Sequence, residues 1–175
     1  MMTLEKFEEA SELVKKVTNS TKLVYSDYLS EQSGGKVYLK PENMQHTGAY
    51  KIRGAYYKIS TLSDEERGRG LITASAGNHA QGVALAAQRS GIKSIICLPD
   101  GAPISKVEAT RSYGAEICLV EGVYDDAYNK ALQLRDEHGY TFIHPFNDED
   151  VIAGQGTIGL EPVSYTHLTL PTNRE

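Results

Sequence analysis

Cysteine is scarce. Only Cys97 and Cys118 occur in 175 residues, too few for a disulfide framework. Each sits in an apolar, strand-like run, so reduced and buried thiols are the expected state. No apolar run approaches the roughly 18 residues of a membrane-spanning helix. Basic residues are outnumbered, 18 against 23 acids for a formal net charge of -5, and form no long run, which argues against nucleic-acid or acidic-membrane partners. The opening segment, Met1 to Glu9, is charged and amphipathic. It lacks the basic start and apolar core of a secretory signal, so a cytoplasmic protein is expected. His46, His138, His144 and His167 show no metal-ligand spacing, no metal site is expected, and no Ser-His-Asp arrangement is present. With 40% hydrophobic and 23% charged residues, the chain can bury a core, as one domain or one domain plus part of another.

Thr3 is a plausible N-cap for a packing helix on which Leu4, Phe7, Leu13, Val14 and Val17 follow helical spacing. Asn19 to Ser33 is irregular, with Leu23, Val24, Tyr25, Tyr28 and Leu29 as expected anchors. Val37 to Lys40 reads as a strand stopped by Pro41. A capping-box pattern, Ser63-Asp64-Glu65-Glu66, sits in a polar connector. From Leu71 the chain becomes regular. Strand-like runs at Leu71–Thr73, Ser94–Leu98, Ile117–Val120 and Thr141–His144 alternate with helices from Asn78 to about Arg89, up to Gly114, and from Tyr124 to His138. Gly91, Gly114 and Gly139 suit left-handed caps. Strands and helices at this spacing predict a parallel sheet with helices on both faces. Val151 to Glu161 reads as a loop entering a helix that Pro162 cuts short, and residues 162–175 leave the cycle, forming at most one short strand.

Two stretches carry chemistry. In Thr47-Gly48-Ala49-Tyr50-Lys51-Ile52-Arg53-Gly54-Ala55, Lys51 lies just past a Thr-Gly turn at the start of a helix. Free backbone N–H groups, the helix dipole and the charge of Arg53 all disfavour an ammonium there. A neutral lysine is a carbonyl nucleophile, as Schiff-base chemistry requires. In Ser75-Ala76-Gly77-Asn78-His79-Ala80-Gln81-Gly82, small residues at a strand-to-helix turn open the helix N-terminus to an anion. The glycines do not match a dinucleotide or P-loop pattern, so a carboxylate suits it better than a nucleotide. A tight turn with Asn78 as cap is the plain alternative. Lys106 reads as solvated surface, and His79 as a residue giving a supporting hydrogen bond. A carbonyl-reactive amine paired with a carboxylate cradle describes an amino-acid enzyme.

These stretches, with Lys40 to Gln45, Gly101 to Lys106 and Ala153 to Glu161, resemble the signature segments of the pyridoxal-phosphate enzymes of the tryptophan-synthase-β fold type, and within them the threonine dehydratases, or threonine ammonia-lyases. The resemblance covers about Met1 to Glu161. It implies an α/β fold in which residues 1–46 begin a large domain, 47–150 form the small domain of fold type II, 151–161 return towards an incomplete large domain, and 162–175 are an atypical tail. It implies pyridoxal 5'-phosphate as cofactor, joined to Lys51, which also removes the substrate's α-proton. Tyr50 would stand beside the cofactor ring, where relatives carry phenylalanine. Asn78 would bond the ring oxygen, and Ser75, Ala76, Gly77, Asn78 and His79 would hold the substrate carboxylate. The substrate would be an amino acid, L-threonine and also L-serine, converted to a 2-oxo acid and ammonia, in a homo-oligomer when full length.

Two departures qualify the likeness. Serine racemases of the family carry a serine where this chain has Ala76, which offers no proton on the second face of the substrate carbon. Elimination is therefore favoured over racemisation. The family's glycine-rich phosphate loop has no counterpart here, since residues 162–175 contain no glycine. A racemase-like or other pyridoxal-phosphate enzyme of fold type II, and a catalytically inert α/β fragment, are the alternatives.

Overall fold

A computed structural model of the chain describes residues 2–166. Helix α1 (Leu4–Val14) starts where the Thr3 hydroxyl accepts the N–H of Lys6. Its Ala10 and Val14 pack with Tyr57 and Ala153, whereas Leu4 is exposed. Strands β1 (Val24–Tyr25) and β2 (Tyr38–Leu39) form a small antiparallel pair, with α2 (Asp27–Ser33) between them. The expected anchoring by Val24, Tyr25, Tyr28 and Leu29 is overturned, because all four are exposed. The two-residue strands lie off the main sheet, and Tyr25 packs edge-on to Tyr38, with ring centroids 5.3 Å apart.

The remaining elements are α3 (Lys51–Ser60), α4 (Asp64–Gly68), β3 (Leu71–Ala74), α5 (Asn78–Ser90), β4 (Ser94–Pro99), α6 (Ile104–Ser112), β5 (Glu116–Val120), α7 (Tyr124–His138), β6 (Thr141–Phe142) and α8 (Glu149–Thr166). The capping box before α4 forms as expected, Ser63 and Glu66 bonding each other's backbone N–H. A four-stranded sheet in the order β5-β4-β3-β6 is parallel throughout. Because side chains alternate along a strand, Leu71, Ile96 and Leu98 face one way, onto Ile52, Val83 and Val107 of α3, α5 and α6. Ile72, Ala74 and Cys97 face the other way, onto Ala127 and Ala131 of α7. The sheet is thus covered on both faces. Gly91, Gly114 and Gly139 follow their helices with φ of 67°, 82° and 75°, the left-handed geometry that glycine supplies without a Cβ clash.

Three expectations change. Val151 to Glu161 is helical throughout, since α8 begins at Glu149. The glycines that suggested a loop, Gly154 and Gly156, are where Arg53, Gly54 and Phe7 come closest, so packing against α1 and α3 overrides weak local propensity. Pro162 lies inside α8 rather than ending it. Cys97 is buried as expected, but Cys118 is half-buried, on the outer strand of the sheet. The tail from 167 onward, with His167, lies outside the described residues.

Candidate functional site

The turn that delivers Lys51 is pinned at its base. Buried Gln45 accepts the backbone N–H of Asn19 at 2.6 Å through Oε1 and donates to the Asn19 carbonyl at 3.0 Å through Nε2. Thr47 and Gly48 then take φ of 66° and 68°, two successive left-handed residues. Among the described residues Thr47 is the only non-glycine in that region, and its Oγ1 is buried without a partner. Strain of this kind persists only where the surroundings over-determine it. Its result here is to start α3 at Lys51.

Helix α3 is gripped on two sides. A Cβ on Gly82 of α5 would stand 3.0 Å from the Lys51 carbonyl carbon, and one on Gly154 of α8 would stand 2.7 Å from the Arg53 carbonyl oxygen. Only glycine allows the approach at Gly154, and at Gly82 a methyl would force the Lys51 backbone to give way by a few tenths of an ångström. Gln155 reaches across to accept the Gly54 N–H at 3.2 Å. The half-buried Lys51 Nζ donates to the carbonyl of Pro145 at 2.8 Å and lies 5.7 Å from the Tyr50 ring centre. Burial pulls its pKa below the ordinary lysine value. The direction agrees with the sequence reading, but the cause differs. Arg53 does not press its charge on Lys51, because its fully buried guanidinium is spent on Glu42 (2.8 and 2.9 Å) and Glu161 (2.5 Å), with Thr157 Oγ1 at 3.2 Å. Burial opposes charge on both Arg53 and Glu42. Their mutual bonds outweigh it, raising the arginine pKa and lowering that of the carboxyl. Lys40 also pairs with Glu161, so residues 40–42, α3 and α8 are tied together behind the lysine.

Ser75 follows β3, its N–H bonded to the Cys97 carbonyl at 3.1 Å and its hydroxyl accepting the Gly77 N–H at 3.2 Å. Gly77 caps α5 with no side-chain bond, so the first helical N–H groups are not taken by a capping side chain. Asn78 is the first helical residue, not the cap. A Cβ on Gly77 would meet nothing within 4 Å, so the turn faces open space. Exposed Asn78 accepts a hydrogen bond from Lys106 Nζ at 3.0 Å through Oδ1. Lys106 is therefore half-buried and engaged, not solvated surface.

His79 is 3% exposed, with Nε2 3.2 Å from the Ile143 carbonyl. A carbonyl only accepts, so Nε2 carries the proton and Nδ1 is a bare acceptor, buried without a partner. Burial, reinforced by Lys51 and His144 and only partly offset by the Ile143 carbonyl, pushes its pKa down to about 4. His79 is neutral at physiological pH. The Ile143 carbonyl also accepts the Thr73 hydroxyl at 2.7 Å.

The segment after β6 thus joins the two stretches, Pro145 holding Lys51 and Ile143 holding His79. The structure brings Lys51, Tyr50 and His79 to one locus, with Ser75, Ala76 and Gly77 on the turn that leads into α5. Sequence reasoning missed Pro145, Gln45, Gly82 and the engagement of Lys106. Pro145 had a usable signal, since it follows a strand at the carboxyl edge of a parallel sheet, where ligands bind in such folds. A separate cleft of about 890 Å³, lined by Arg67, Arg69, Lys93 and Tyr140 among others, opens where β3, β4 and β5 begin and contains none of these residues. No group of three or more His, Cys, Asp or Glu side chains among the described residues could hold a metal ion.

A half-buried amine and a helix N-terminus without a side-chain cap thus lie at the carboxyl edge of a parallel α/β sheet. The chain belongs to the pyridoxal-phosphate dependent enzyme family, whose model matches residues 14–171. It is 56% identical over 161 residues to an L-threonine ammonia-lyase of Thermotoga maritima, covering 92% of this chain and 40% of that one. Processed threonine deaminase isoform 2 of Solanum lycopersicum superposes with a TM-score of 0.85 at 39% identity, covering 93% of this chain and 49% of that one. Maize serine racemase superposes with a TM-score of 0.88 at 36% identity, covering 92% and 49%. The chain therefore spans about two fifths to one half of these relatives. The residues present fit the family's cofactor on its amine side, with a lysine whose charge burial disfavours and open space before Gly77.

Proposed function

We propose that this chain carries the lysine and carboxylate-binding part of an enzyme that eliminates water from L-threonine, and from L-serine, to give an unsaturated amine whose hydrolysis takes water back and yields a 2-oxo acid and ammonia. The observation that carries the reading is Lys51, a half-buried amine 2.8 Å from the Pro145 carbonyl, whose charge burial disfavours. Lys51 would hold pyridoxal phosphate, with Tyr50 beside its ring and the Asn78 amide at its ring oxygen. When bound, the cofactor supplies an electron sink.

In this reading the Ser75 hydroxyl and the N–H groups from Ala76 to His79 bind the substrate carboxylate and fix the α-carbon over Lys51, the Gly77 N–H exchanging its bond to the Ser75 oxygen for one to the carboxylate. The Lys51 amine then takes the α-proton. Ala76 has no proton to return on the opposite face, so the β-hydroxyl leaves and racemisation is disfavoured. The similarity to serine racemase therefore speaks for shared architecture more than shared outcome. Residues 47–150 would form the small domain, 1–46 and 151–161 parts of a large one, and 162–175 an atypical tail. The whole enzyme would be a cytoplasmic homo-oligomer without nucleic-acid or membrane partners.

The test is to add pyridoxal phosphate to the 175-residue chain, reduce with borohydride and map the labelled lysine. Label on Lys51 that vanishes in Lys51→Ala, with no gain elsewhere, supports the reading. A folded chain labelled only on surface lysines sinks it for this chain and leaves the inert-fragment alternative.

A further inference from the structure

Lys106 stands in the first turn of α6, an element apart from both chemistry-bearing stretches, yet its ammonium reaches Asn78 Oδ1 at 3.0 Å. Among the described residues no carboxylate pairs with it, so Asn78 is its side-chain partner. The shape of the asparagine amide does not decide which end faces which way, since its oxygen and nitrogen differ little in size. An ammonium decides it. Lysine has three donors and no acceptor, so only Oδ1 can face it; a flip would set NH₂ against NH₃⁺, losing the bond and adding repulsion. The Nδ2 donors must then point away from Lys106. Nδ2 has no protein partner among the described residues, and Asn78 is exposed at the mouth of the Ser75–His79 turn.

We infer that Lys106 is a positioning residue: by occupying Oδ1 it fixes Asn78 as a hydrogen-bond donor towards the ligand cleft, which selects for an acceptor oxygen at that point. This rests on the proposed cofactor reading, in which the acceptor is the ring oxygen of pyridoxal phosphate. A freely flipping amide would present its carbonyl oxygen to that atom part of the time, oxygen against oxygen. Lys106 removes that state. Its bond is charge-assisted, stronger than a neutral one, so the orientation is held before any ligand arrives. Backbone bonds fix the lysine itself, its N–H donating to Pro103 at 2.8 Å and its carbonyl accepting the Thr110 hydroxyl at 2.8 Å.

The test combines a ligand-free and a ligand-bound readout on the 175-residue chain. Without cofactor, ¹⁵N relaxation of the Asn78 side-chain amide, assigned by its loss in Asn78→Ala, should report a rigid group in wild type. It should report one as mobile as other exposed asparagines in Lys106→Met, with order restored in Lys106→Arg. With pyridoxal phosphate, Lys106→Met should raise the concentration that half-labels Lys51 about twofold, because an amide flipping freely between two orientations offers its donor about half the time, while the label stays on Lys51. In an Asn78→Ala background Lys106→Met should add nothing, because the lysine acts through the amide it orients. An Asn78 amide equally rigid in Lys106→Met, or an unchanged labelling curve, overturns the inference. So does the same loss persisting in Asn78→Ala, which would mean that Lys106 touches the ligand itself. Failure of wild type to label Lys51 counts against the cofactor reading alone, and the relaxation measurement then decides the role of Lys106.

Discussion

Arg53 and Glu42 meet through two hydrogen bonds, 2.8 Å at Nε and 2.9 Å at Nη2, with the guanidinium fully buried and Glu161 closing its far side. Removing one member of a buried ionic cluster strands the charges of the others. Arg53→Met should cost about 3–5 kcal/mol in chemical denaturation. If stranded carboxylates are the cause, Arg53→Met with Glu42→Gln and Glu161→Gln should recover much of that loss. A triple variant as unstable as the single one would show that the arginine's shape, not its charge balance, holds residues 40–42, α3 and α8 together.

Helix packing gives a graded series at glycines. At Gly154 a methyl would meet the Arg53 carbonyl oxygen and the Gly54 Cα, both at 2.7 Å, and backbone cannot step aside. Gly154→Ala should destabilise by about 1–3 kcal/mol although alanine is the better helix former. At Gly159, in the same helix, a methyl would meet nothing within 4 Å, so Gly159→Ala should gain up to about 1 kcal/mol. Gly82→Ala, at 3.0 Å from the Lys51 carbonyl carbon, should press mainly on the placement of Lys51. It should slow pyridoxal-phosphate labelling of that lysine more than it lowers the denaturation midpoint. Equal midpoints for Gly154→Ala and Gly159→Ala would refute the series.

Much of this arrangement could be read from the chain. The alternation of short apolar runs with helices ended by Gly91, Gly114 and Gly139 is local information, and the parallel sheet follows it closely. Tyr124 to His138 is helical to the residue. The helix start at Lys51 and the strand-to-helix turn at Ser75–His79 are also legible as backbone features, because each carries a local signal. What failed depended on distant partners. Arg53 looked like a neighbour of Lys51, but its charge is taken up by Glu42 and by Glu161, which lies 108 positions away. Gly154 and Gly156 looked like loop residues because glycine favours loops, and nothing local announces a helix crossing. Lys106 looked solvated because its partner lies 28 positions earlier, across a strand and a helix. Val24, Tyr25, Tyr28 and Leu29 were expected to be buried on composition alone, and composition does not say where the core lies.

Thr47 holds two costs in one residue, a left-handed backbone at φ 66° and a buried hydroxyl without a partner. Thr47→Gly removes both. Relief of strain worth about 1–3 kcal/mol exceeds the up to about 1 kcal/mol by which glycine loosens the unfolded chain, so the variant should be more stable by about 1 kcal/mol. Thermal or urea denaturation checks this, and a drop in stability would mean that the Thr47 methyl packs more usefully than its backbone suffers. If the strain serves to place Lys51, labelling of that lysine should be no faster in the more stable variant.

His79 makes stability depend on pH in a window that its environment defines. Its folded pKa is pushed down to about 4 by burial, from an ordinary value of 6.5. Between those values the unfolded chain binds a proton that the folded chain refuses, so stability rises with pH across the window. The contribution is fully present above pH 6.5, falls as pH drops, and is lost by about pH 4, where the buried ring must also charge. For a gap of this size the loss is about 3 kcal/mol. Glu42, whose carboxyl the Arg53 bonds hold below the usual range against the pull of burial, adds a second loss in the same direction at lower pH. The two separate in a variant. His79→Gln removes the titrating ring while keeping a polar side chain, so its stability should be lower than wild type at pH 7 but nearly flat from pH 6.5 to 5, where wild type declines. Parallel curves over that interval would show that the decline comes from other groups and that His79 keeps an ordinary pKa in the folded chain.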